Sequence, residues 1–546
     1  VGLLCLASCS STVTVACPPD ASHVVSDGGA PEPMRDASAQ DVEVPTDARD
    51  AGFVVRSPQD DGFYLPRQLG PLSASRVRTR RPSVAWTPWL EVARGDAILE
   101  FCRDRACADV IETVAARGAT RAQPTRPLPP GVVFWRLRVT RPHSQHPSTP
   151  VWTMEVPAGD VDRDTAWPGA GDFNGDGLAD AIVRVVTPGA VLVRSVVYYG
   201  RRQASPWAVS WNLDAALDFL QGGVFEAVGD VNGDGYGDAM MSGRQVVAWV
   251  FPGSATGLAR TPTAAVSLEG AIEWSVPGLA ESLAPAGDTD GDGYGDVLVT
   301  TRTTPTTAVV WVVRGGPRGP QSPALRVTTL RSRATNEHID NVRAQPAGDV
   351  NGDAVTDWIV YSESGNAAFQ TGSARWSVLS GRAPFVEILP QQEVRAPAPH
   401  GVYGRAVGAG DLNGDGLADV AFVRLCPSTL SVRFGPLTGA PWDYTGSRPP
   451  SGAGCGSNTL GGNGDTQGDG HDDMTVHLGA DAPVFLAGGR SLAAPVPLPA
   501  SGAHAIVGDA DGDRLADVLV TRERQSLLLL GATGVPGGVA VALSPR

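Results

Sequence analysis

Seven nine-residue segments in this chain put side-chain oxygens at the same offsets, positions 1, 3, 5 and 9, a donor set that suits a hard divalent cation. They read DFNGDGLAD, DVNGDGYGD, DTDGDGYGD, DVNGDAVTD, DLNGDGLAD, DTQGDGHDD and DADGDRLAD. In the first, Asp172, Asn174, Asp176 and Asp180 offer side chains, and Leu178 at position 7 offers a backbone carbonyl. The second holds Asp230, Asn232, Asp234, Tyr236 and Asp238, and the third Asp288, Asp290, Asp292, Tyr294 and Asp296. The fourth holds Asp349, Asn351, Asp353, Val355 and Asp357, and the fifth Asp411, Asn413, Asp415, Leu417 and Asp419. The sixth holds Asp465, Gln467, Asp469, His471 and Asp473, and the seventh Asp509, Asp511, Asp513, Leu515 and Asp517. Calcium, which takes six to eight oxygens at irregular angles, is the expected ion, up to seven per chain.

Asp/Asn/Gly turns form without metal as well, and a single copy would leave that reading open. Seven copies with carboxylates at the same three offsets argue against it. Three carboxylates within ~4 Å repel by about 4 kcal/mol per pair at an effective dielectric near 20, so such a cluster calls for a cation. Position 4 is glycine in every copy, as a turn with positive φ requires. Ala354 and Arg514 replace the glycine usual at position 6, and Gln467 replaces the acid or Asn at position 3, which marks those three loops as the weakest sites. An EF-hand would need a glutamate at position 12 and flanking helices. Position 12 here is Val183, Met241, Val299, Val360, Phe422, Val476 or Val520, and each loop runs into a stretch rich in strand formers.

The elements that hold these loops must therefore be strands, and they must repeat. Successive first aspartates lie 44 to 62 residues apart, and residues 160–546 average about 55 per copy, room for four short strands and their turns. Several loops follow a run of small residues, as in FEAVGD (225–230), LAPAGD (283–288), AQPAGD (344–349) and AVGAGD (406–411). A later strand ends in glycine, as in VVYYG (196–200), VVWVVRGG (309–316) and SLLLLGATG (526–534).

These features resemble the FG-GAP (VCBS-like) repeats of integrin α-subunit propellers and their bacterial relatives, over about residues 160–546. The resemblance implies an all-β chain with a seven-bladed β-propeller over 158–546, each blade four-stranded with a calcium loop in its first hairpin. It supplies no single activity, since one fold hosts many functions.

Residues 78–157 read as short strands (SVAW, AILEFC, DVIETV, VVFWRLRV, VWTMEV) and resemble a fibronectin type III-like or Ig-like sandwich. Residues 18–77, rich in Asp, Ala, Pro, Ser and Gly, read as a disordered tether. Residues 1–17 resemble a bacterial lipoprotein signal with Leu6-Ala7-Ser8-Cys9 as lipobox and Cys9 as the lipidated residue. That implies the cell envelope, at the outer membrane or cell surface, with secretion as the alternative and a lipid anchor as the membrane contact. The Cys102/Cys107 spacing allows a disulfide across a tight turn, and Cys426 and Cys455 could join neighbouring blades.

The 43 basic residues are all Arg, and the formal charge of −15 argues against nucleic acid as a partner. Of 58 acidic residues, 23 are aspartates at loop ligand positions, so seven calcium ions would bring the net charge to about −1. No HExxH, GxSxG or phosphate-binding glycine loop occurs. The sequence points to a non-enzymatic, calcium-binding, surface-anchored module, adhesive or structural, for an extracellular protein or glycan ligand. The alternative is a secreted carbohydrate-active enzyme of polysaccharide lyase type, which would gather Arg, Tyr, His and acid on a face away from the loops.

Overall fold

The computed structural model describes residues 12–14, 65–88, 96–140, 148–159, 161, 163, 166–167, 171–186, 193–202, 212–217, 224–242, 247–267, 280–332, 337–366, 371–396, 404–424, 429–445, 459–477, 483–498, 503–522, 525–532, 534, 536 and 540–543. All regular structure in them is strand, in seven four-stranded sheets, one six-stranded and one three-stranded. The expected lipobox with Cys9, most of the expected tether, and Cys17, Cys426 and Cys455 lie outside the described residues.

Six of the four-stranded sheets are meanders in which consecutive strands pair antiparallel. The third shows why: Ala280–Gly287, Asp296–Thr304, Thr307–Val313 and Leu325–Arg331 are rich in Val, Thr and Leu, which pack well on a pleated surface. Its second strand buries six consecutive residues, because both faces are covered. In these six sheets the acidic loop joins the first strand to the second. The first strand ends on Gly229, Gly287, Gly348, Gly410, Gly464 or Gly508, and the position-9 aspartate opens the second. In five of the six, pairing slips at this junction. Five of these glycines hold φ between 77° and 90°, a bulge conformation that explains the small residue before each loop.

Neighbouring sheets pack face to face. One cluster joins Phe173, Ile182 and Val197 of the first repeat to Phe225, Ala239 and Phe251 of the second. Others join the second to the third, the third to the fourth, the fourth to the fifth and the fifth to the sixth. The first and seventh repeats meet through backbone bonds: Ala179 N–H to the carbonyl of Asp509 and Arg201 N–H to that of Ala510, each 2.8 Å. The sixth and seventh repeats are also bonded, Ala516 N–H to the carbonyl of Asp465 at 2.9 Å, and the all-β arrangement is propeller-like.

The first sheet departs from the pattern. Ala166–Trp167, ahead of its loop, pairs instead with Arg76–Val77. Its place beside Ala181–Val186 is taken by Thr12–Thr14, which pairs in parallel. Those residues fall in the stretch expected to be a signal-like segment. The β-branched run Thr-Val-Thr suits an edge left open by the diverted strand.

The N-terminal unit has a six-stranded sheet, in spatial order Ala166–Trp167, Ser75–Val77, Trp152–Val156, Gly131–Thr140, Asp96–Cys102 and Val110–Ala115. Opposite it stands a sheet of Gln68–Gly70, Val84–Trp86 and Arg121–Ala122. Both contribute to one core holding Trp86, Leu99, Phe101, Trp135, Trp152 and Met154, with Trp135 and Trp152 edge to face at 5.6 Å. Cys102 and Cys107 form a disulfide, as their spacing allows. Gln68–Gly70 and Ser75–Val77 are strands although the tether was expected to run to residue 77. At three residues each, they are too short to show a periodicity against a Pro/Ser-rich background.

Candidate metal centre

The seven loops share one hydrogen-bond plan. The position-5 N–H donates to Oδ1 of the position-1 aspartate at 2.9–3.2 Å. The position-6 N–H donates to its Oδ2 at 2.7–3.0 Å. The position-7 N–H donates to Oδ1 of the position-5 aspartate at 2.8–3.1 Å. Each loop therefore folds its chain around the carboxylates of positions 1 and 5, and in the first, second, fourth, fifth and seventh loops the position-3 oxygen also accepts the position-5 N–H at 2.9–3.0 Å. In the two four-aspartate loops, carboxylate oxygens of Asp288, Asp290 and Asp296, and of Asp509, Asp511 and Asp517, lie within 4.8 Å of one another.

Position 9 carries a further task that spacing alone did not reveal. Its seven aspartates are fully buried. Each accepts the position-2 N–H on Oδ2 at 2.8–3.0 Å. On Oδ1 it accepts, at 2.8–3.2 Å, the N–H of the glycine closing the third strand, Gly200, Gly253, Gly315, Gly381, Gly435, Gly488 or Gly531. A side chain at Gly381 would collide with the carbonyl of Thr356. The strand-ending glycine of the repeat is thus the partner of the position-9 carboxylate.

Electrostatics marks the same points. Burial, reinforced by Asp176, pushes Asp172 up to about 7, and burial with Asp234 does the same to Asp230. Burial raises Asp357 to about 8 and Asp288, Asp473 and Asp509 to about 7. Asp180, Asp238, Asp419 and Asp517 stand well above the usual range, burial first and neighbouring aspartates adding to it. So many carboxyls straining toward protonation signal a charge deficit that a cation would fill. The donor set is all oxygen, with no Cys or paired His, so the residues fit a hard cation such as calcium.

The departures expected to weaken three loops have structural forms. Ala354 and Arg514 hold φ of 64° and 79°, so position 6 keeps the left-handed turn without glycine. Gln467 at position 3 donates its amide to the Gly534 carbonyl at 2.8 Å, which engages the side chain outside the loop. In the fourth loop Asn351 donates to Asp357 rather than to position 5.

The loop face is covered by the N-terminal unit. Arg105 stacks on Tyr236 at 3.8 Å and donates to the carbonyls of Gly175 at 3.3 Å and Gly235 at 3.1 Å. Trp152 Nε1 donates to the Gly233 carbonyl at 3.2 Å, and Arg67 lies over Tyr294 at 5.2 Å. Arg76 reaches Asp472 at 2.7 Å, and Arg78 reaches Asp472 at 3.2 Å and Asp411 at 2.9 Å. Burial pushes Asp472 up, but Arg76 and Arg78 outweigh it and hold the carboxyl below its ordinary range. The sequence reading missed this clamp, because position 8 ligates nothing. The available signal was Asp472 itself, an acid where the other copies have Ala, Gly or Thr.

No protein-family model matches the chain, and no curated protein sequence does. Among solved structures, a periplasmic gluconolactonase of Pseudomonas aeruginosa is similar at 12% identity and a TM-score of 0.32, covering 67% of this chain and 97% of that one. A mutant apocarotenoid oxygenase of Synechocystis is similar at 9% identity and a TM-score of 0.31, covering 87% of this chain and 94% of that one.

Proposed function

We propose that residues 158–546 form a seven-bladed β-propeller of FG-GAP (VCBS-like) type whose loops bind calcium, and that the chain is a non-enzymatic binding or structural module of the bacterial envelope. The observation that carries this is the shared loop geometry: seven oxygen-lined turns with one hydrogen-bond plan, linked into a ring. Positions 1, 3, 5 and 9 and the position-7 carbonyl would hold each ion. Its chemistry there would be charge neutralisation and cross-linking of the loop, with no role as a reacting centre. The N-terminal unit, with three- and six-stranded sheets around one core, fits a fibronectin type III-like sandwich. It would join the propeller to a lipid-anchored tether, with the face opposite the loops left for an extracellular protein or glycan.

A lyase would need an accessible base and Arg pair away from the loops. The described group nearest to that is Tyr361, which donates to Glu363, with Arg343 and Arg405 close by, but Tyr361 and Glu363 are 3% and 7% exposed. Burial of those two groups favours the binding reading. The test is calorimetric titration of the chelated protein with calcium, followed by binding to a panel of purified envelope polysaccharides with and without calcium. Saturable calcium uptake with calcium-dependent glycan binding supports the proposal. Release of unsaturated uronides from any panel member would instead establish the enzyme reading.

A further inference from the structure

The first and fifth loops carry the same ligand set: Asp172, Asn174, Asp176, Leu178 and Asp180 against Asp411, Asn413, Asp415, Leu417 and Asp419. Both keep glycine at positions 4 and 6. Their internal bonds match as well, with Gly177 N–H on Asp172 at 3.0 Å and Gly416 N–H on Asp411 at 2.8 Å. They differ in what the N-terminal unit brings to them. At the first loop Arg105 binds the Gly175 carbonyl and, like Arg202, acts on the loop carboxylates only through space, without an ion pair. At the fifth, Arg78, 3% exposed, sets Nη2 2.9 Å from Oδ2 of the position-1 carboxylate, Asp411.

Asp472 fixes that guanidinium in place. Its carboxylate takes Arg76 and Arg78 and also the Asp411 N–H at 2.8 Å, while its own N–H donates to the Asp411 carbonyl at 3.0 Å. Asp411 is thus held from its backbone on one side and by a buried cation on the other. We infer that Arg78 is a built-in cation of the fifth loop, supplying there part of the positive charge that a metal supplies elsewhere, so that this loop binds calcium more weakly than the otherwise equivalent first. The inference rests on the calcium reading above and adds to it a regulation of one site by the N-terminal unit. Asp472 shares Arg78 with Asp411 and also takes Arg76, so part of the Arg78 charge remains beside the ligating carboxylate, and in a partly buried site that opposes a divalent ion by about tenfold in affinity.

The experiment is calcium titration of the chelated full-length protein by calorimetry, in the wild type and in Asp176→Asn and Asp415→Asn, which disable the first and fifth loops respectively. Asp176→Asn should remove a tighter site and Asp415→Asn a site about tenfold weaker. In an Arg78→Gln background, Asp415→Asn should remove a site as tight as the first. Equal affinities at the two loops with Arg78 present would overturn the inference and leave the calcium reading standing. No calcium uptake by the wild type would overturn both. The comparison of Asp176→Asn with Asp415→Asn needs no change at Arg78, so it decides the matter even if Arg78→Gln fails to fold.

Discussion

Ala179 donates its backbone N–H to the carbonyl of Asp509 at 2.8 Å, bonding position 8 of the first loop to position 1 of the last. Equivalent bonds join Gly237 to Asp172, Gly295 to Asp230, Ala418 to Asp349, Asp472 to Asp411 and Ala516 to Asp465, at 2.7–3.0 Å. The loops are therefore stitched to one another as well as to their own sheets.

Removal of calcium should lower the stability of the whole ring. At millimolar calcium and dissociation constants of ~10⁻⁴–10⁻³ M, each site contributes about 0.4–1.4 kcal/mol, and seven sites roughly 3–10 kcal/mol. That is comparable to the ~5–15 kcal/mol by which folded proteins are stable. Scanning calorimetry with and without chelator should show a clear drop in Tm. An unchanged melting curve would mean that the loops are turns without metal.

Positions 5 and 9 should separate under mutation. Asp238 is buried and accepts the amides of Val231 and Gly253. Asp238→Ala leaves both N–H groups without an acceptor, at about 1–3 kcal/mol each, so it should destabilise the protein even in chelator and lose the calcium contribution of its loop besides. Asp234→Ala, at half-buried position 5, should matter mainly when calcium is present. Thermal melts of the two variants under both conditions check this, and an Asp238→Ala protein no less stable than Asp234→Ala in chelator would refute the brace assigned to position 9.

Much of this was legible because the carboxylates recur at fixed offsets, which turn propensity alone does not produce. The strands were legible because Val, Ile, Thr and Leu follow each loop. What was hidden depends on contacts far apart in sequence. Nothing local marks Arg76 and Arg78 as partners of Asp472, nearly four hundred residues away. Thr12–Thr14 pairs with residues 182–184, and Ala166–Trp167 with Arg76–Val77, pairings that no local pattern marks. The position-6 exceptions also read differently in three dimensions. Glycine is kept where the N-terminal unit presses on the loop, with Val132 over Gly177, the Val151 carbonyl over Gly235 and that of Gln68 over Gly293. Ala354 and Arg514 are exposed, the long Arg514 side chain lying along Gly131 of the N-terminal unit.

It follows that Gly235→Ala should be costly. The new side chain would sit at a φ of 91° and strike the Val151 carbonyl and Arg105. Left-handed backbone alone costs about 1–2 kcal/mol for a non-glycine residue, and the collision adds to it. Ala354→Gly should change stability by less than about 1 kcal/mol, relieved strain being offset by lost chain stiffness. Chemical denaturation of both variants tests the difference, and equal effects would contradict the docking of Val151 on the second loop.

Asp472→Asn should loosen the N-terminal unit from the ring. The substitution keeps shape but leaves Arg76 and Arg78 without their shared carboxylate, and breaking a buried pair in this way costs about 3–5 kcal/mol. Limited proteolysis should cut between the two units faster in the variant, and small-angle scattering should give a larger radius of gyration. Unchanged proteolysis and scattering would show that the other contacts suffice.

The pH dependence of the calcium-free protein should run opposite to that of most proteins. Asp172, Asp230, Asp288, Asp473 and Asp509 stand near 7 when folded, against about 3.9 in an unfolded chain. A carboxyl whose pKa is raised on folding holds its proton more tightly in the folded state. Its contribution is present at low pH and is lost as pH rises from about 4 to about 7. Asp472 and Glu100, held below their ordinary values, act in the other direction, but only below about pH 4.5 where they protonate. Between pH 5 and pH 7.5 the loop carboxyls therefore dominate. In chelator, Tm should be higher at pH 5 than at pH 7.5. Saturating calcium should cancel or reverse that order, because the ion binds the ionised form and competes with the proton. A calcium-free protein more stable at pH 7.5 than at pH 5 would show that its loop carboxylates are not crowded as described.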